Sequence, residues 1–201
     1  MSKFPFIVIM LLMSATIEAK SIVILGDSIS ANYGIDVERG WVNLLQKKVR
    51  EVHGDYTIYN ESISGDTSAG GLTRIDRALA VYKPEMVLVE LGANDGLRGL
   101  SPAMTKSNLT AIVQRSKKAG AKVLLLAMKI PPNYGKRFVD MFYAVYPELS
   151  DELKIPFVPF LLEEVVLRKD MMQADGLHPN AQAQPIIADK IAAYLLPLLN
   201  H

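Results

Sequence analysis

Four short stretches of the chain carry groups able to do covalent chemistry: "GDSIS" around Ser28, "NESISGDTS" at 60–68, "LGANDG" at 91–96 and "DGLHPN" at 175–180. Each alone has an ordinary structural explanation. Ser28 could cap a following helix by satisfying one of its unpaired backbone donors. Gly65 and Asn94 could be turn residues, and Asp175 with Gly176 a turn ahead of a capped helix. Acyl transfer supplies a reason for all four together. A hydroxyl nucleophile needs a base within about 3 Å, the base needs an orienting carboxylate, and the developing oxyanion needs donors.

The chain has three histidines to serve as that base. His53, beside Gly54, suits a helix end, where the helix dipole accounts for it, and His201 is the last residue. His178 is the candidate placed in a loop at a strand end. Asp175 precedes it by three residues, and Gly176 allows a tight reversal between them. One loop can thus present both side chains, the carboxylate holding one ring nitrogen while the other faces Ser28. The candidate triad is Ser28, Asp175 and His178. The backbone N–H groups of Ser28 and Gly65 and the side-chain amide of Asn94 are the candidate oxyanion donors, Gly65 having no Cβ to obstruct a substrate.

Positioning these loops requires strands. Short apolar, β-branched runs recur at 22–25, 56–60, 86–91 and 122–128, with a weaker one at 157–160, and each reads as a buried strand. Between them the spacing is helical, as in Leu72, Ile75, Leu79 and Tyr82, or Ile187, Ile191, Leu195 and Leu198. Ser101 and Pro102 suit a helix start, and Gly54 and Gly120 suit helix ends. Strand and helix alternating at roughly 30-residue intervals predict right-handed crossovers and a parallel sheet covered on both faces, a three-layer α/β/α sandwich. In such sheets, loops leaving the carboxyl ends of the strands converge on one edge, so the four stretches can meet there.

Composition narrows the partners. The 201 residues are half apolar, enough for one well-buried core, and 22 basic residues nearly cancel 21 acidic ones. No basic stripe suggests nucleic acid and no acidic tail suggests disorder. Small or neutral molecules are the expected partners, and no long exposed apolar segment demands a second chain, so a monomer is expected.

Residues 1–19, "MSKFPFIVIMLLMSATIEA", have the three-part pattern of a secretory signal: a positive start at Lys3, an apolar run from Phe4 to Met13, then small and polar residues to Ala19. That run falls well short of the roughly 20 residues needed to span a bilayer. Cleavage after Ala19 would leave residues 20–201 as a single exported domain without a stable membrane anchor. The chain has no cysteine, so it depends on core burial rather than disulfides and lacks thiolate chemistry.

The four blocks, in order, resemble those of the SGNH (GDSL) hydrolases, a family named for a serine, a glycine, an asparagine and a histidine. "VLVELGANDGLRG", "PPNYG", "PFLLEEV" and "DGLHPNAQAQPIIA" extend the similarity toward the thioesterase, lysophospholipase and arylesterase branch of that family. Ile29 stands where the family's name has leucine, a swap of similar volume. The resemblance implies a flavodoxin-like, five-stranded parallel sheet, no metal or other cofactor, an acyl-serine intermediate and broad tolerance of acyl esters and thioesters.

The substrate groove is less defined. Phe138, Met141, Phe142 and Val145 fall at helical spacing, which ordinary core packing explains. Ile130, Pro131 and Tyr134, with Leu97 and Leu100 after Asn94, are the candidate lining of an acyl-chain groove. Gly96 and Gly99 bracket Leu97 and Arg98, consistent with a loop that moves over substrate or with a static turn. Competing readings are a non-catalytic acyl-group binder and metal-assisted hydrolysis using Asp27, Asp66, Asp95 and Asp175. A phosphate-binding loop does not fit, because "GDSISANYG" lacks the required glycine spacing and lysine.

Overall fold

Every residue from Ile22 to Leu25, and every residue from Val87 to Val89, is fully buried. Burial on both faces is the environment that continuous Val, Ile and Leu runs select over the alternating pattern of a half-exposed sheet. A computed structural model describes residues 20–199, so the signal-like segment 1–19 and His201 lie outside the described residues. Five strands, β1 (Lys20–Gly26), β2 (Tyr56–Asn60), β3 (Met86–Glu90), β4 (Lys122–Leu126) and β5 (Phe157–Val158), form one sheet in the order β2-β1-β3-β4-β5. All neighbours are parallel. The order reverses between β1 and β3, the switch point beside which open α/β sheets hold their ligands.

Helices α1 (Trp41–Val52) and α6 (Gln184–Leu195) pack together, while α2 (Ser68–Tyr82), α4 (Pro102–Lys118) and α5 (Lys136–Leu153) pack side by side as a second group. With the sheet these make the predicted three layers. A short helix, α3 (Ala93–Leu97), follows β3 directly. Pro102 opens α4 after Ser101, and α4 ends before Gly120, whose φ of +90° favours glycine. Among the described residues no helix is long and apolar enough to cross a membrane.

Two expectations need correction. No helix begins at Ser28: residues 28–34 form successive turns, and regular helix resumes only at Trp41 apart from one short 3-10 turn. Ser28 therefore has no helix to cap; the side chain of Asp27 instead accepts the Ile29 N–H at 3.0 Å. The apolar stripe on α5 is also incomplete. Phe142 and Val145 are buried, but Met141 is 50% exposed, because it lies a quarter-turn off the stripe that faces the sheet.

Candidate active site

The parallel register sets Gly26, the last residue of β1, opposite Glu90, the last of β3. Asp27 and the turn carrying Ser28 thus leave the sheet directly over the Glu90 carboxyl. Glu90 Oε2 accepts the Asp27 N–H at 3.2 Å and the Ser30 hydroxyl at 2.6 Å, gripping the residues on both sides of Ser28. Asn60, ending β2, donates its amide to the Ser30 carbonyl at 2.8 Å. From α1, the indole N–H of the fully buried Trp41 reaches the Ile29 carbonyl at 3.1 Å. Ser28 is therefore fixed by groups from three neighbouring elements.

Ser28 Oγ lies 2.8 Å from His178 Nε2, and His178 Nδ1 lies 2.7 Å from Asp175 Oδ2. The other carboxylate oxygen of Asp175 accepts the N–H groups of Leu177 and His178 at 2.9 and 3.0 Å, so the loop folds around its own carboxylate. Partial burial would raise the Asp175 carboxyl, but the backbone and side-chain hydrogen bonds from His178 and the Leu177 N–H outweigh it and hold the group at about 2. Asp175 thus stands at Nδ1 as a carboxylate down to strongly acidic pH.

Asn94, on the first turn of α3, donates Nδ2 to Asp27 Oδ2 at 3.1 Å and lines the same cleft as Ser28 and His178. That amide keeps a second hydrogen. Gly65 has φ +78°, and a Cβ built there would meet nothing closer than Arg98 Nη2 at 3.9 Å. The conformation rather than crowding requires glycine at that position. Neither the Ser28 nor the Gly65 N–H donates to another group among the described residues. The loops bearing Gly65 and Asn94 are joined beneath by Asp95, which accepts the Ser68 N–H at 2.8 Å, the Ser68 hydroxyl, and the Thr105 hydroxyl at 3.2 Å. Arg98 adds a bond to the Gly65 carbonyl at 2.8 Å.

The cleft encloses about 200 Å³ and is lined by Asp27, Ser28, Ile29, Ala93, Asn94, Leu97, Met128, Lys129, Pro131, Leu162, Leu177 and His178. Of the five groove residues expected from sequence, Leu97 and Pro131 are in this lining; Leu100, Ile130 and Tyr134 are not. Ile130 is only 4% exposed and packs against Gly96, while Lys129 and Pro131 on either side of it face the cleft, as alternation along an extended chain demands. Leu100 follows Gly99, whose φ of +68° turns the chain away into α4. Tyr134 instead donates its hydroxyl to the Leu97 carbonyl at 2.9 Å, tying down the loop between Gly96 and Gly99. Met128, Leu162 and Leu177 went unread because apolar residues near strand ends look the same in sequence whether they face core or cleft.

The four aspartates are each committed separately. Asp66 pairs with Arg74 at 2.7 Å, Asp95 with Ser68 and Thr105, Asp27 with Asn94 and the Ile29 N–H, and Asp175 with His178. Another cavity, of about 270 Å³, opens at the far end of the strands around Met86, Ala121 and Pro156, but its lining has no hydroxyl, carboxylate or imidazole.

A family model described as GDSL-like Lipase/Acylhydrolase matches residues 24–185. Esterase TesA of Pseudomonas aeruginosa is 47% identical over 190 residues, covering 94% of each chain. Thioesterase 1/protease 1/lysophospholipase L1 of Escherichia coli K12 is 45% identical over 197 residues, covering 98% of this chain and 93% of that one. The crystal structure of psychrotrophic esterase EstA from Pseudoalteromonas sp., inhibited by monoethylphosphonate, superimposes with a TM-score of 0.86 at 43% identity, covering 90% of this chain and all of that one.

Glu90, missed in the sequence reading although it interrupts an otherwise apolar strand, generates a prediction. Complete burial, with Asp27 beside it, pushes its carboxyl well above the usual range. Burial also raises Asp27, to about 6, against the pull of the Ile29 N–H. A carboxyl with a raised folded value contributes most stability below its unfolded value, about 4, and loses it as pH climbs toward the folded value. Urea denaturation across pH 4 to 8 should therefore show a smaller loss of stability with rising pH in Glu90→Gln than in the wild type. Parallel curves would mean that Glu90 titrates as an ordinary carboxyl.

Proposed function

Because the chain belongs to the GDSL-like lipase/acylhydrolase family, we propose that it hydrolyses carboxylic esters and thioesters of acyl chains through Ser28, with His178 as base and Asp175 as the group orienting it. The single observation that carries the assignment of residues is the continuous line from Ser28 Oγ through His178 to Asp175 at 2.8 and 2.7 Å, opening on an apolar cleft. Ser28 Oγ attacks the substrate carbonyl carbon and passes its proton to His178 Nε2. The ionised Asp175 stabilises the imidazolium that results. The carbonyl oxygen, now negative, takes hydrogen bonds from the Ser28 and Gly65 N–H groups and from the Asn94 amide. Collapse returns the proton from His178 to the departing alcohol or thiol and leaves acyl-Ser28. Water, deprotonated by the same imidazole, then releases the acid and restores the serine.

Leu97, Pro131, Leu162 and Leu177 give the acyl chain an apolar wall, while few polar groups converge at one end of the cleft. Small-molecule acyl esters fit this arrangement. The signal-like pattern of residues 1–19 supports export to the periplasm with residues 20–201 acting as one domain. In a host that exports it, the mature protein should begin at Lys20, and the intact mass of periplasmic material checks this directly.

The decisive assay is hydrolysis of p-nitrophenyl esters from acetyl to palmitoyl, with Ser28→Ala as the baseline. Activity should be lost in that variant, and a phosphonate should add once, at Ser28, in the wild type. Activity that survives Ser28→Ala would remove the serine mechanism, and an acetyl-only profile would shorten the pocket to that of an acetyl or aryl esterase. Asn94→Asp replaces a donor with a like charge, so its kcat/KM should fall by about 10²–10³-fold, the range for losing one such donor. A variant within a factor of two of the wild type would take Asn94 out of the oxyanion site.

A further inference from the structure

The loop carrying Ser28 and the loop carrying His178 lie 150 positions apart in sequence. Besides Ser28–His178 itself, one hydrogen bond among the described residues joins residues 28–36 to residues 171–180: Gln173 Nε2 donates to the Tyr33 carbonyl at 2.7 Å. The same amide nitrogen donates its other hydrogen to the Pro179 carbonyl at 3.1 Å, and the Gln173 backbone N–H donates to the His178 carbonyl at 2.8 Å. On the opposite side, the Tyr33 N–H donates to the Ser28 carbonyl at 3.1 Å. One carboxamide thereby closes a short path from the Ser28 carbonyl to the two residues His178 and Pro179.

Steric contacts reinforce the path. Gly34 has φ +73°, and a Cβ there would overlap the Gln173 carboxamide oxygen, so the chain passes directly against that side chain. The Tyr33 ring lies against the His178 imidazole, with centroids 4.5 Å apart and planes tilted by 37°. The 172–179 segment is a short hairpin, bridged between Met172 and Pro179, with Gln173 at its base.

We propose that Gln173 is a positioning residue that sets the distance between Ser28 Oγ and His178 Nε2 by holding the Tyr33 carbonyl to the base of the His178 hairpin. This rests on the serine mechanism above. The serine–imidazole bond alone is a weak link between separate loops, because its formation exchanges protein–water bonds for one protein–protein bond with little net gain. A displacement of about 1 Å in such a pair is enough to cost on the order of 10²-fold in rate. Tyr33, whose carbonyl accepts the bond between the two loops, is exposed, so water can replace the amide there, while Pro179 is buried within the hairpin itself. Losing it therefore frees the geometry more than it weakens the fold.

Gln173→Met keeps the length of the side chain and removes both amide donors; Gln173→Glu keeps its shape and sets a carboxylate against the carbonyls. For each, kcat and KM on a p-nitrophenyl ester, the rate of phosphonylation of Ser28, and Tm are measured beside the wild type and Ser28→Ala. The expected result is a kcat lowered about 10- to 100-fold, on the scale of a misplacement near 1 Å. Phosphonylation should slow by the same factor, with KM within twofold and Tm within a few degrees. A kcat within twofold of the wild type, or a loss confined to KM or Tm, overturns the proposal, as does failure of both variants to fold, since the residue would then be structural. If Ser28→Ala keeps full activity, the serine mechanism falls and this inference with it. If Ser28→Ala is inactive while both Gln173 variants are unimpaired, only this inference falls.

Discussion

The carboxyl of Glu90 is fully buried at the end of β3 and receives the N–H of Asp27, just before Ser28, and the hydroxyl of Ser30, two residues after it. A buried acceptor with two donors is far harder to displace than the same bonds in water, because breaking them leaves unsatisfied polar groups in the core. The sheet register fixes where that acceptor stands, since Gly26 pairs with Glu90 across β1 and β3. Everything proposed for Ser28 depends on this placement. The turn it occupies has no helix of its own to stiffen it, and the neighbouring elements provide the rigidity.

A second set of bonds does for Gly65 and Asn94 what Glu90 does for Ser28. Asp95, adjacent to Asn94 and 1% exposed, holds Ser68 at the start of α2 and Thr105 in α4. Arg74 pairs with Asp66 and also donates to the Gly26 and Glu61 carbonyls, joining the end of β1 to the loop after β2. The three proposed oxyanion donors therefore come from three loops that share one hydrogen-bonded base. Preorganised donors are what an oxyanion site requires, because they need no reorganisation when charge develops.

The His178 hairpin is held differently. It owes its shape to local bonds around Asp175 and its position to Gln173, with more of its surface in water than the Ser28 turn has. That contrast suits the chemistry. In the proposed mechanism the serine and the oxyanion donors belong on the rigid sheet edge, while the base must pass a proton between several oxygens in turn.

Much of this was legible in the sequence, for identifiable reasons. Apolar runs such as 22–25 and 86–89 imply strands covered on both sides, and their alternation with helical spacing implies a parallel sheet whose loops meet at one edge. Ser28, Asp175 and His178 could be selected because so few residue types can serve as nucleophile, base and orienting acid. Only the tertiary structure decided which side chains hold those groups still. Glu90, Trp41, Asn60 and Gln173 act on backbone atoms far away in sequence, and a hydrogen bond to a carbonyl or N–H leaves no mark on the residue type at its other end. The cleft wall was equally hidden. Ile130 and Pro131 are adjacent and both apolar, and only the direction in which the chain leaves β4 decides that one is core and the other faces a ligand.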